Sequence, residues 1–183
     1  GNDDASIMYV LKEIANPRHP FSKFNIGSLE TLSDTETSNA RDDVIRFYNK
    51  YYSSNLMCLT LLSNNSLEEL EQFSYKYFAD IKNHDTSIVD INVPLFNDNL
   101  PQHVYIKPKK SKRELELYFP IPSMHEAYAT KPFNYLSHII GHENSSSLIA
   151  YLKKHSLANA LSSGVEFKHR KDALFNISIE LTN

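Results

Sequence analysis

The chain has 183 residues, of which 41% are hydrophobic and 22% are charged, so it can build packed cores and is not a disordered tail. Its formal net charge of −3 gives no whole-chain reason to expect a nucleic acid or an anionic membrane as a partner. The single cysteine, Cys58, excludes an internal disulfide and favours a reducing, cytoplasmic setting. No apolar run approaches the roughly 18 residues that a membrane-spanning helix requires.

Two helices are predicted in the first third of the chain. Apolar residues at helical spacing predict the first over residues 4–15, and Asn16-Pro17 ends it because the residue before a proline avoids helical backbone. The second is predicted from about Ser38 onward. Its apolar face is formed by Val44, Phe47, Tyr48 and Tyr51.

The segment Leu56–Leu62 is a nearly continuous apolar run, which is typical of a strand buried on both faces. We therefore expect Cys58, inside this run, to be a small buried thiol. A third helix is predicted directly after it, because Ser66 and Glu69 have the spacing of a capping box.

Residues 83–102 are rich in Asn, Asp and Pro and lack a regular period, so we interpret them as a linker between residues 1–82 and residues 103–183. Residues 103–183 are predicted to contain strands at His103–Lys107, Arg113–Phe119 and 173–182, and helices at Lys131–Ile140 and Ser147–His155. This order predicts an α+β fold in which helices cover one face of an antiparallel sheet.

The search for metal ligands finds one pair, His138 and His142, spaced so that a helix would place both on one face. Zinc hydrolases set a glutamate between the two histidines, whereas here Glu143 follows the second one and Gly141 is expected to end the helix. We therefore predict no metal and no catalytic residue in this chain. A basic cluster, Lys107, Lys109, Lys110, Lys112 and Arg113, lacks interleaved aromatic residues and is interpreted as the solvated turn of a hairpin.

A run of motifs resembles the insulinase-type (insulysin- and pitrilysin-like) zinc metallopeptidase family. The first is Asn16-Pro17-Arg18-His19-Pro20-Phe21-Ser22-Lys23-Phe24. The others follow in order across almost the whole chain: Gly27, Thr31-Leu32, Phe47, Tyr51-Tyr52-Ser53-Ser54-Asn55-Leu56-Met57, Ser66-Leu67, Phe119-Pro120-Ile121-Pro122, Gly141-His142-Glu143, Ser147-Leu148 and Leu152-Lys153.

The resemblance implies four related α+β domains that enclose a chamber for short peptides. The zinc is held by an inverted H-x-x-E-H motif and a distant glutamate in the first domain, and family order places these upstream of Asp3. Residues 1–82 would then end the first, catalytic domain and residues 103–183 would begin the second.

The resemblance also implies a surface in the second domain that holds the N-terminal end of a substrate. The positions that match it are His138, Gly141, His142, Glu143, Leu161, Ser162, Ser163 and Gly164. This sequence departs from the family pattern where Asn144-Ser145-Ser146 replaces a Gly-Pro-Gly-like turn and where Ser163 replaces the first glycine of a pair. Each replacement removes backbone freedom that glycine supplies. The alternative is that these residues form only a helix cap and a strand.

The resemblance therefore implies that the parent protein is a zinc-dependent metalloendopeptidase of small peptides, and that this part alone is inactive. The expected partners are peptide substrates and the remaining domains of the parent, with no nucleic acid and no membrane. The alternative is a non-catalytic relative that binds peptides or acts as a scaffold module. An intact H-x-x-E-H motif upstream would distinguish the two.

Overall fold

The computed structural model describes residues 3–97, 100–109 and 111–182. It contains five helices within these ranges: α1 (Asp3–Ile14), α2 (Ala40–Tyr51), α3 (Leu67–Phe78), α4 (Pro132–Ile140) and α5 (Leu148–Lys154). Three strands accompany them: β1 (Glu114–Pro122), β2 (Ala158–Glu166) and β3 (Asp172–Leu181). The chain divides into two compact units, one formed by the residues up to Phe24 together with those from Ile91, the other by Asn25–Asp90.

The first unit is built on an antiparallel sheet in the order β1-β3-β2. Its central strand pairs Ile177 with Leu117 of β1 on one side and with Ser163 of β2 on the other. Helices α4 and α5 pack against β2, where Ile149, Ala158 and Leu161 form a buried cluster. The predicted α+β fold, with helices on an antiparallel sheet, is confirmed.

A second cluster in the same unit packs α1 against the start of β3. It is formed by Leu11, Ala15, Phe21, Leu95, Phe96 and Leu174. The segment after α1 is held in place by hydrogen bonds, because Asn16 N donates to Leu95 O over 2.9 Å and Phe21 N donates to His19 Nδ1 over 3.1 Å. The first family-like motif therefore serves here as packing, with His19 only 1% exposed.

The second unit, Asn25–Asp90, has helices α2 and α3 but no strand, and the structure describes all of it. Helix α3 has the predicted capping box, in which Glu69 N donates to Ser66 Oγ over 3.2 Å and Ser66 N donates to Glu69 Oε2 over 2.9 Å. The loop before it is tied to residues 82–86, since His84 N donates to Ser53 Oγ over 2.8 Å and Asn55 Nδ2 donates to Thr86 O over 2.9 Å.

Four predictions in these regions are wrong. Leu56–Leu62 is not a strand and Cys58 is exposed, because no other segment of the unit offers the ladder of backbone hydrogen bonds that a buried strand needs. His103–Lys107 is irregular and exposed, since β1 pairs with β3 instead. The basic cluster is therefore not the turn of a hairpin, although Lys110 lies outside the described residues. The boundaries at 82 and 103 stay a prediction.

Candidate functional site

The last turn of α4 and the middle of β2 are joined by a reciprocal pair of serines. Ser163 Oγ donates to Ser137 O over 3.1 Å, and Ser137 Oγ donates to the backbone carbonyl of Ser163. Ser137 and Gly141 are four residues apart and share a helix face. Both therefore face β2, and the structure brings two predicted site residues, Gly141 and Ser163, next to each other.

Gly141 is required by this close approach and not by its backbone angles. It caps α4 with φ −84°, and its N–H donates to Ser137 O over 2.8 Å. A Cβ built at Gly141 would lie 3.0 Å from the same carbonyl oxygen and 3.7 Å from Ser163 Oγ. The predicted end of the helix at Gly141 is confirmed, and a side chain there would crowd the hydrogen-bonded carbonyl.

The polar residues predicted beside Gly141 lie in solvent. His138 and His142 form an edge-on ring contact with centroids 5.3 Å apart, and His142 Nδ1 accepts a hydrogen bond from Asn144 N over 3.1 Å. Both histidines and Glu143 are exposed. His138 directly follows Ser137 in α4, so its side chain is turned about 100° away from the face that meets β2, whereas His142 and Glu143 lie beyond the end of the helix.

These residues do not suit a catalytic zinc. Such a site requires three protein ligands, and within the described ranges no group of three or more His, Cys, Asp or Glu side chains is placed to hold a metal ion. Glu143 follows the histidine pair in sequence instead of lying between its members. No catalytic step is therefore assigned to His138, His142 or Glu143.

On β2 the four predicted residues have different environments. Leu161 is buried against the helices, Ser162 is exposed, and Ser163 and Gly164 are half-buried. A Cβ built at Gly164 would meet no atom within 4 Å, so the space beside this backbone is open. Among the described strands β2 is an outer strand of the sheet, as expected for a strand that could accept a peptide by pairing.

The missing glycines do not strain the backbone. Among described non-glycine residues, a left-handed φ occurs at Asp85, Lys131, Ser156 and Phe167. None of these lies within Asn144–Ser146 or at Ser163. Asn144 instead builds its turn with its own side chain, since Ser146 N donates to Asn144 Oδ1 over 3.0 Å.

The sheet face opposite α4 and α5 carries carboxylates near Gly164. Strand register places Gly164 beside Asn176, whose Nδ2 donates to Glu116 Oε2 over 2.5 Å. Ser178 Oγ donates to Glu116 Oε1 over 2.8 Å. Burial, followed by repulsion from Glu116, raises the pKa of Glu166 above its ordinary value. This face therefore concentrates negative charge.

A family model described as the Peptidase M16 inactive domain matches residues 39–183. The chain belongs to the insulinase-type M16 peptidase family. The match covers the full predicted docking surface, both α4 and β2.

Three curated relatives are similar over most of this chain. The A-factor-processing enzyme of Saccharomyces cerevisiae is 36% identical over 186 residues, covering 100% of this chain and 18% of its own length. The human insulin-degrading enzyme is 35% identical over 185 residues, covering 99% of this chain and 18% of its own length. A Schizosaccharomyces pombe protein whose name includes the words zinc protease is 38% identical, covering 81% and 16%. The chain thus spans less than a fifth of each relative.

The fold is also similar to that of a solved relative. The crystal structure of pitrilysin matches with a TM-score of 0.86 at 27% sequence identity, over 99% of this chain and 20% of pitrilysin. Across the described ranges, no helix is both long and apolar enough to cross a membrane.

Two features of this region were not singled out from the sequence. Ser137 was missed because a serine in a helix gives no sign of its partner 26 residues away. The basic run Lys168-His169-Arg170-Lys171, just before the predicted strand 173–182, was visible as a cluster of charge. Its location beside residues 123–134 depends on the turn between β2 and β3, which the sequence does not specify.

Proposed function

We propose that this chain is part of a longer zinc-dependent metalloendopeptidase that hydrolyses small peptides in an enclosed chamber, and that it docks the N-terminal segment of the substrate. The zinc would be held by residues outside this chain. Its partners would be peptides and the other domains of the parent, in an intracellular compartment. Family membership supports the peptidase activity, and the relatives' names support zinc.

The observation that carries the docking role is the open space at Gly164 on an outer strand. A peptide lying along β2 would gain backbone hydrogen bonds that demand little of its sequence. Each such bond stabilises the complex by about 1 kcal/mol, so we expect weak affinities, roughly micromolar to millimolar. Ser163 offers fewer backbone hydrogen bonds to a peptide, because its carbonyl oxygen already accepts one from Ser137 Oγ.

The charged α-amino group of the peptide requires an acceptor. Glu143, one of the predicted docking residues, or a nearby carbonyl can accept it, and Glu143 is exposed. Glu116 and Glu166 offer further carboxylates on the sheet face that Gly164 shares. Capture of the amino group by any of them would fix the direction in which the peptide runs along β2.

The docking test replaces Gly164 with valine in the full-length protein. A β-branched side chain suits a strand, so the fold should persist while the open space is filled. We expect affinity for long peptides to fall about tenfold, because the valine side chain would occupy the open space that a docked peptide needs at Gly164. Cleavage of short peptides that do not reach β2 should change little.

Ala160→Val is the matched control, because Ala160 is exposed on the same strand outside the predicted docking residues. Equal effects of the two variants, or no effect of Gly164→Val on long peptides, would show that β2 is structural only. Ser163→Pro is a poorer test because it also deletes the Ser163 hydroxyl that holds α4.

The enzymatic test uses a quenched fluorescent peptide. The full-length protein should cleave it, lose activity with a chelator and regain activity with zinc. The 183-residue chain alone should not cleave the peptide, with or without added zinc, and should not bind zinc with submicromolar affinity. A repurified chain that cleaves the peptide, or that binds zinc stoichiometrically, would contradict the assignment of the chemistry to residues elsewhere.

A second candidate is a non-catalytic family member that binds peptides or scaffolds an assembly. The absence of a metal-binding group among the described residues is compatible with it. It shares the docking prediction and differs in one result, since its full-length protein would bind peptides without cutting them at any zinc concentration.

A further inference from the structure

A basin beside the end of β2 collects positive charge. Its volume is about 660 Å³, and it is lined by parts of the segments 123–134 and 165–170. Five of its lining residues are basic: His125, Lys131, Lys168, His169 and Arg170. None of the described residues that line this basic basin is an aspartate or a glutamate.

The two lysines and the arginine of the basic basin are not neutralised by any residue that the structure describes. Among the described residues, Lys131, Lys168 and Arg170 take part in no ion pair, whereas His19 lies near Asp172 and Lys112 pairs with Glu114. All three side chains are exposed. A concave surface lined by one sign of charge concentrates ligands of the opposite sign.

The backbone holds the basin in shape before any ligand arrives. Ser123 N donates to Lys171 O over 2.9 Å, and Ser123 Oγ donates to His169 O over 3.2 Å. His169 N donates to Asp172 O over 2.7 Å, which closes the turn between β2 and β3. The two bonds made by Ser123 join the two lining segments.

Two lining or adjoining residues hold unfavourable backbone angles. Lys131 has φ 45° immediately before Pro132, and Phe167 has φ 47° immediately after β2. Left-handed backbone is rare for residues with bulky side chains and concentrates at functional sites. At Lys131 this conformation turns the chain into α4, so that Phe133 and Asn134 also line the basin.

The position of the basin indicates which anion it receives. Val165 lines it and directly follows Gly164, where the proposed peptide would lie. Successive strand residues are about 3.3 Å apart, so a peptide paired with β2 would reach the basin within one or two residues. Tyr128, Phe133 and Val165 supply an apolar wall against which side-chain methylenes can pack.

We infer that the basic basin binds aspartate or glutamate side chains of a peptide docked along β2, so that the parent protein prefers substrates with an acidic docked segment. This inference rests on the proposed docking function. The cationic lining attracts the carboxylate, and the pairing of the peptide with β2 brings it within reach.

The test measures binding of two labelled peptides to the full-length protein in the presence of chelator, which prevents cleavage. The peptides differ only in carrying Glu or Gln at three positions of the N-terminal segment. We expect the acidic peptide to bind about tenfold more tightly, since partly exposed ion pairs contribute modestly and add together. This preference should shrink at high salt because screening shortens the range of the attraction.

The variant Lys168→Gln/Arg170→Gln should bring the ratio of the two affinities close to one. The matched control is Lys153→Gln/Lys154→Gln, which removes the same charge from exposed positions on α5. The control should keep the preference for the acidic peptide. If both double variants reduce it equally, the effect is due to net charge and the basin inference is wrong.

Further outcomes separate the basin from the docking strand. Equal binding of both peptides to the unmodified protein would overturn the inference and leave docking intact. Binding of neither peptide would overturn the docking proposal itself. Displacement of a fluorescent phosphate ester by inorganic phosphate, without any preference for the acidic peptide, would mean that the basin takes small free anions and would also overturn the inference.

Discussion

The unit built on the sheet and the unit Asn25–Asp90 protect their apolar side chains very differently. All eleven buried hydrophobic residues of the described chain lie in the first unit. In the second unit the buried residue is a serine, Ser53, and the apolar faces of α2 and α3 are open, with Val44 66% and Phe47 56% exposed.

Different interactions therefore stabilise the two units. Burial of apolar surface stabilises the sheet unit, at about 25 cal/mol for each Å² removed from water. In the second unit, caps and loop hydrogen bonds such as those of Ser53 and Ser66 carry a larger share. Apolar faces of this extent mark interaction surfaces. The chain spans less than a fifth of the length of these relatives.

The largest expected effect is in the core of the sheet unit. Leu174 is 0% exposed, so Leu174→Ala should lower the free energy of unfolding by about 2–5 kcal/mol through lost burial and a new cavity. Leu62→Ala, at a residue 96% exposed in the other unit, should change it by less than about 0.5 kcal/mol. Denaturant unfolding of both variants measures this, and similar losses would break the comparison.

A smaller effect separates two glycines of the sheet unit. Gly141→Ala should cost about 1–2 kcal/mol, because the added Cβ would press on Ser137 O. Gly164→Ala should instead stabilise by about 0.4–1 kcal/mol, since open space surrounds the position and the unfolded chain loses freedom. Thermal unfolding compares them, and a destabilising Gly164→Ala would show that the space beside β2 is needed by the fold.

The same contrast explains how far the sequence could predict the fold. Helix ends with local signals were predictable: the capping box at Ser66 and the stop at Gly141 depend on neighbours within four residues. The conformation of Leu56–Leu62 was not predictable in this way. An apolar run indicates a preference for burial but does not indicate which other segment, if any, will pack against it.

The site was predictable to a similar degree. The resemblance supplied residue positions on α4 and β2, and the structure brings Gly141 and Ser163 together. It could not supply the Ser137–Ser163 pair or the basic basin, because both depend on segments far apart in sequence meeting at one place. Whether the eight predicted residues bind a peptide stays a prediction.

In the second unit the cap should matter more than an apolar side chain beside it. Ser66→Ala removes the hydroxyl that accepts from Glu69 N, and should destabilise the start of α3 by about 1 kcal/mol. Leu67→Ala, at a residue 80% exposed, should cost less, because little burial is lost and alanine favours helix. Hydrogen exchange of residues 67–70 measures both, and a larger effect at Leu67 would reveal a hidden packing partner.

The smallest effect is a pH dependence confined to the sheet unit. Burial and, second, the neighbouring His19 lower the pKa of His169 below its ordinary value of 6.5, while Asp172 opposes them and Lys12 adds to them. His169 Nε2 is buried without a hydrogen-bond partner among the described residues, so a proton there has no acceptor.

The sign follows from proton binding. Above about pH 6.5 His169 is neutral in both the folded and the unfolded chain and contributes nothing. As the pH falls below that value, the unfolded chain binds a proton that the folded chain resists, so stability decreases on acidification. Amide protection in residues 167–173, corrected for intrinsic exchange, should therefore drop between pH 7.5 and 5.5, while protection in α2 should not. His169→Gln should abolish the drop, and its persistence in that variant would contradict the assignment of the pH dependence to His169.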